Sequence, residues 1–228
     1  MYKNAHIEIS KNEYTYTITV KDYHKHKDFV STIIQTFVDT KGQEKKPHLE
    51  QDFTLRSQIA VDKIVSLETL LKNGDMTDEY FKILFKSLAF QLENLHKKNL
   101  TILHYKPKHT YLFVFDFVGV FIYLNPEDVY SLEMERIMID CPFEKTFFTA
   151  PEIKQITAIP DYTVLKQASY WSFAALLIHY LSQYLKIKEP KNIKDMTTVL
   201  NKIKHKKMYW ALQRCLEAVP ERRYLIYI

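Results

Sequence analysis

The sequence predicts an α+β protein, mainly helical, with a reduced β-rich portion over residues 1–60 and a helical domain over residues 61–228. Three observations carry this expectation. Tyr14 to Val20 (YTYTITV) alternates β-branched and aromatic residues with period two, as a half-buried strand does. From Ser66 onward apolar residues recur at helical spacing, and Val164 to Tyr184 reads as a long apolar helix.

Taken in order, Phe29 to Val38 fits either a strand or a short helix, and Lys41 to Pro47 reads as an exposed loop. Ser57 to Val65 is a candidate for a further strand. Ser66 is placed to cap a helix over LETLLKN, and Gly74 stands where a C-cap glycine belongs. Thr77 then caps a long amphipathic helix running to about Lys98, with Phe81, Leu84, Phe85, Leu88, Leu92 and Leu95 on its apolar face. Tyr111–Phe115 and Val120–Leu124 are strand-like, and Asp116-Phe117-Val118-Gly119 between them suits a hairpin turn. The stretch from there to Val164 reads as irregular. Beyond Pro190 two more helices are expected, over Ile193 to Lys204 and Met208 to Ala218.

Composition narrows the function. Of 228 residues, 46% are hydrophobic and 14% aromatic, enough for a real core and too many for disorder. Only Gly42, Gly74 and Gly119 are glycines, so no glycine-rich phosphate loop can be built. The net charge is +5, and the basic clusters Lys45-Lys46 and Lys204-His205-Lys206-Lys207 read as solvated faces; no nucleic-acid partner is expected. Cys141 and Cys215 are too few for a disulfide framework, and the apolar run Phe173 to Leu181 is too short for a membrane span, so a cytoplasmic location is expected. His24 with His26, and His104 with His109, have spacings found in zinc sites, yet no Cys-x-x-Cys accompanies them. No metal and no cofactor is expected.

Five fragments then occur in a telling order. Leu95-His96-Lys97-Lys98-Asn99-Leu100 resembles the end of the protein-kinase αE helix. Lys106-Pro107 resembles the Lys-Pro of the kinase catalytic loop, and Phe148-Thr149-Ala150-Pro151-Glu152 the end of an activation segment. Trp171-Ser172-Phe173-Ala174 resembles the start of helix αF, and Cys215-Leu216 with Pro220-Glu221-Arg222-Arg223 the pattern near the kinase C-terminus. Over about residues 60 to 224 the chain therefore resembles a kinase C-lobe. The resemblance implies a structural ion pair between Glu152 and Arg223.

The same resemblance implies lost chemistry. Counting from Lys106, the catalytic aspartate becomes His104, the metal-binding asparagine becomes His109, and the metal-binding aspartate of the DFG triplet becomes Asn125. Magnesium prefers carboxylate oxygen over imidazole, so these positions do not hold it well. Glu127 or Asp128 is the remaining substitute, and Asp116-Phe117-Val118 is better read as a turn than as the triplet. Only twenty residues precede Lys21, the candidate nucleotide lysine, and none is glycine.

Among such relatives the chain resembles pseudokinases and the KIND modules of actin nucleators and tyrosine phosphatases, through Val65 to Leu71 and the Phe-Thr-Ala-Pro-Glu segment. The implied function is a non-catalytic module that binds a protein partner: a kinase, a kinase substrate or a peptide segment. The alternative is a divergent serine/threonine kinase using His104 or Glu127 unconventionally. The excess of Lys, Ile and Tyr over Gly and Ala fits an AT-rich genome, such as that of a large DNA virus.

Overall fold

A computed structural model describes residues 2–11, 16–41, 48–49, 54–59, 61–115, 118–140, 142 and 145–226. Gly42, Lys45, Lys46, Cys141, Tyr14 and the turn residues Asp116 and Phe117 lie outside these. The N-terminal part forms a five-stranded antiparallel sheet. Its strands are β1 (Tyr2–Lys3), β2 (Ile7–Lys11), β3 (Tyr16–Val20), β4 (His48–Leu49) and β5 (Leu55–Ile59), in the order β1-β2-β3-β5-β4. Ile7, Ile9, Ile18, Val20 and Leu55 are buried, as period-two alternation requires of a sheet with one dry face. Helix α1 (Tyr23–Lys41) takes the ambiguous Phe29 segment and buries Phe29, Val30 and Ile33 in the same core.

The capped helices form where the sequence places them. In α2 (Leu67–Asn73) the Ser66 side chain accepts from the Thr69 amide, and Gly74 closes the helix at φ 76°, a left-handed conformation that glycine adopts without steric cost. Helix α3 (Asp78–His96) is capped by Thr77 and buries Phe81, Leu84, Phe85, Leu88, Leu92 and Leu95. The hairpin pairs β8 (Thr110–Phe115) with β9 (Val118–Tyr123), and β6 (Lys63–Ser66) joins β8 to complete a three-stranded sheet. Gly119 lies inside β9 opposite Val114, one strand position later than a turn glycine would sit. There an added Cβ would stand 3.0 Å from the Leu112 side chain, so the position favours glycine for space.

The expected mainly helical, kinase C-lobe-like fold with a reduced β-rich N-terminus is not what forms. Among the described residues the chain is mixed, 45% helical and 24% strand, in three antiparallel sheets. Strands run through the C-terminal part as well, chiefly in the stretch expected to be irregular. There lie β10 (Val129–Glu133), β11 (Arg136–Ile139) and β12 (Asp161–Leu165), which with β7 (Leu100–Ile102) from before the hairpin build a sheet in the order β12-β11-β10-β7. The physical reason is alternation in short pieces. Leu132, Ile137 and Ile139 turn inward while their neighbours face water, and Val164 of the adjoining strand is buried as well. The β10–β11 turn has Met134 and Glu135 both at positive φ (47° and 67°), the geometry that keeps a two-residue hairpin in register. Met-Glu is not the Asn-Gly type of sequence that announces such a turn, which hid it.

Helix α5 (Ala168–Tyr184) begins later than Val164 because the residues before it are β12; it is buried on nearly every side and forms the centre of the core. Against it pack α6 (Ile193–Asn201) and α7 (Lys207–Cys215). Among the described residues no helix is long and apolar enough to cross a membrane.

Candidate functional site

The site lies where two connections meet. Strands β7 and β10 pair directly, with Ile102 opposite Val129, so the loop 103–109 is drawn against residues 124–128. Two backbone bonds fix them together: the Leu124 amide donates to His109 carbonyl at 3.0 Å, and the Leu103 amide to Asp128 carbonyl at 3.4 Å. Thus Lys106, His109 and Asn125 are gathered by tertiary structure around one side chain, Asp128.

Asp128 is 4% exposed and its carboxylate is fully engaged. One oxygen meets the Lys106 ammonium at 3.0 Å. The other accepts from the Tyr123 hydroxyl at 2.5 Å and from the Asn125 amide. The Tyr123 oxygen in turn accepts the Lys106 backbone N–H at 2.8 Å. Burial and the neighbouring Asp128 charge hold the Tyr123 hydroxyl well above its ordinary pKa, so it stays a donor. Gln91 of α3 brackets the Tyr123 backbone, accepting its N–H and donating to its carbonyl, both at 2.9 Å. A buried carboxylate is stable only when paired and hydrogen-bonded, and this one is.

The N-terminus closes over the same place. The Tyr2 hydroxyl sits 3.1 Å from His109 Nδ1 and donates toward the Leu124 carbonyl. Asn4 donates to the Tyr2 oxygen at 2.7 Å and to Asn125 Oδ1 at 3.2 Å. The two positions that resemblance assigns to metal, His109 and Asn125, are therefore spent on structural hydrogen bonds. Among the described residues no three His, Cys, Asp or Glu converge as metal ligands would. Glu127 faces outward, 3.5 Å from His6 Nε2, on the far side of a turn from Asp128.

His104 is held apart from this cluster. Its Nδ1 lies 3.3 Å from Thr149 Oγ1 and 3.5 Å from Thr146 Oγ1, which ties the loop to the segment entering α4 (Pro151–Lys154). Beside it opens a groove of about 620 Å³, whose walls include Glu68, Lys106, Lys108, Phe148, His179 and Gln183. Pro107 starts the short turn 107–109, and its carbonyl accepts the Tyr180 hydroxyl at 2.5 Å. This fastens the groove floor to α5.

The structure brings Glu152 and Arg223 together. The guanidinium donates twice to the carboxylate, at 2.5 and 3.0 Å, and its Nε donates to the Glu217 carbonyl at 2.7 Å. Trp171 lies under it, ring centroid 5.2 Å from the guanidinium carbon. Ala150 is fully buried and Pro151 occupies the first helical turn of α4, where its missing N–H is harmless. This assembly stands apart from the Asp128 cluster. His24, His26 and the buried thiol of Cys215 also lie outside the cluster; burial pushes that thiol up to about 12, which leaves it unreactive.

Sequence reasoning overlooked Tyr123, Tyr2, Asn4 and Gln91. No motif signals them, because their role is only to satisfy Asp128 and His109 from distant parts of the chain.

Burial lowers the His109 pKa from 6.5 to about 4, against the opposing pull of Asp128 and with help from Lys108 and Lys106. An unfolded His109 takes up a proton below pH 6.5 while the folded one does not, so stability is full above pH 6.5 and falls as the pH drops toward 4. Of the loss between pH 7.5 and 4.5, about 2 kcal/mol is expected to trace to His109. Urea unfolding of the wild type and His109→Gln at both pH values checks this: the variant should lose that much less.

The chain matches no known protein-family model, and no curated protein matches it in sequence.

Proposed function

We propose that this chain is a catalytically inactive, kinase-like protein-binding module that regulates or competes with a protein partner such as a kinase. One observation carries the inactive half of the proposal: the Asp128 carboxylate is saturated by Lys106, Tyr123 and Asn125. Phosphoryl transfer needs carboxylates free to grip magnesium and a cradle for the phosphates. Here the best-placed carboxylate serves as a structural anchor, and Tyr2 and Asn4 occupy the approach to it. The kinase-like part of the proposal rests on the order of the degenerate motifs, not on overall architecture.

The binding half is supported by the groove beside Lys106. It is open and large enough for several side chains of a partner segment, and it presents Phe148 with Lys106, Lys108 and Glu68, the mixture of aromatic and charged groups that interfaces use. A cytoplasmic location accords with a binding module that keeps a buried free thiol.

Thermal melting with and without magnesium and ATP tests the inactive half. The expected result is an unchanged midpoint. Binding at about a hundredfold over its dissociation constant would instead stabilise the fold by roughly 2–3 kcal/mol, and that shift, or phosphate transfer abolished on replacing His104 or Asn125, would sink the proposal. The binding half fails if folded protein retains no partner from any lysate.

A further inference from the structure

The sheet β12-β11-β10-β7 ends on β12, and among the described residues β11 is its only strand partner. An outer edge that pairs with no other strand is a template for another chain. Along β12 runs a cleft of about 230 Å³, walled also by α4 and by the turn Pro220–Arg222. Val164 and Leu165 both line it, although neighbours in a strand point to opposite faces. The cleft therefore opens at the edge of the sheet and not over one face.

This cleft is acidic with aliphatic walls. Its lining holds three carboxylates, Glu152, Asp161 and Glu221, and among the described residues no lysine or arginine. Arg223 offsets Glu152 from behind, with its own side chain wholly buried. Glu221 is exposed and makes no ion pair with any described residue. Lys145, at the end of α4, is spent on the carbonyls of Lys154 and Ile156, at 2.9 and 2.7 Å. Ile156, Val164 and Pro220 supply the apolar part of the lining. A lysine or arginine side chain has the matching build, an aliphatic stem that ends in a cation.

We propose that the β12 edge docks an extended basic segment of a partner protein, which adds to the sheet as a strand and lays a lysine or arginine side chain in the cleft. Main-chain hydrogen bonds to β12 give a grip that does not depend on sequence, while the carboxylates select the basic residue and fix the register. A second copy of this chain is a poor occupant, since its own β12 edge brings a second set of carboxylates against the first. A nucleic acid or an anionic bilayer carries the wrong charge. This inference rests on the protein-binding reading, but uses none of the residues that line the Lys106 groove.

The test is selection of random displayed peptides on the full chain, followed by titration of a labelled consensus peptide. Enriched sequences are expected to hold lysine or arginine among β-branched residues. Affinity should fall roughly tenfold for Glu221→Lys, and likewise for Asp161→Asn. It should also weaken with salt, while the melting temperature of Glu221→Lys stays unchanged. N-methylation of alternate peptide residues should abolish binding in one frame and spare it in the other, because a strand joins a sheet through every second N–H along one edge. Absence of a basic consensus overturns the proposal, as does a peptide whose affinity neither substitution alters, or one that responds equally to N-methylation in both frames. A consensus peptide released only by Lys108→Glu or Phe148→Ala would sink this docking edge and leave the protein-binding reading standing. Recovery of no peptide, with no partner retained from any lysate, would remove both.

Discussion

Replacing Arg223 with alanine is expected to lower the unfolding free energy by about 3–5 kcal/mol, since it leaves the Glu152 carboxylate, part-buried, without its partner. The loss has three components in one side chain. Two charge-assisted hydrogen bonds to Glu152 go, the Glu217 carbonyl loses its donor, and the face of Trp171 loses the cation above it. For a domain of this size that is a fall of roughly 10 °C in melting temperature. Urea unfolding monitored by tryptophan fluorescence measures it. Glu152→Gln should be milder, because the amide oxygen still accepts one of the two bonds. A cost under about 1 kcal/mol for Arg223→Ala would show that the pair is solvated and not structural.

The second large effect is expected at Asp128. Asp128→Ala would strand the Tyr123 hydroxyl and the Asn125 amide in the interior and free the Lys106 ammonium. Unsatisfied buried groups cost about 1–3 kcal/mol each; since Lys106 reaches water, a total of about 2–4 kcal/mol is expected. Asp128→Asn keeps the shape and one acceptor, and should cost about half as much. Tyr123→Phe isolates one bond at about 1–2 kcal/mol. Chemical denaturation of the three variants, compared at one pH, gives the ordering. If Asp128→Ala is neutral, the carboxylate is not structurally committed and would be free to meet a cation.

Much of this was legible in local sequence. Ser66, Gly74 and Thr77 announced α2 and α3, because caps act within a few residues of the backbone groups they satisfy. The β8–β9 pair was equally plain from its two β-branched and aromatic runs. The sheet β12-β11-β10-β7 was not legible: each strand is short, only one or two of its described residues turn inward, and its hairpin turn lacks the usual residues. In the candidate site the motif residues could be located by spacing from Lys106. What those residues do could not, since Asp128, Gln91 and the pair Tyr2 and Asn4 come from three separate segments of the chain.

By itself the sequence determined the caps, the helical stripes and the poverty in glycine. Each of these is a property of residue identity or of neighbours within a turn of chain. Only the tertiary structure decided that β7 and β10 would pair and so press loop 103–109 onto residues 124–128, and that Asp128 would be consumed there. A buried charge must find its partners wherever the fold supplies them, and those partners are set by long-range packing that no local pattern encodes.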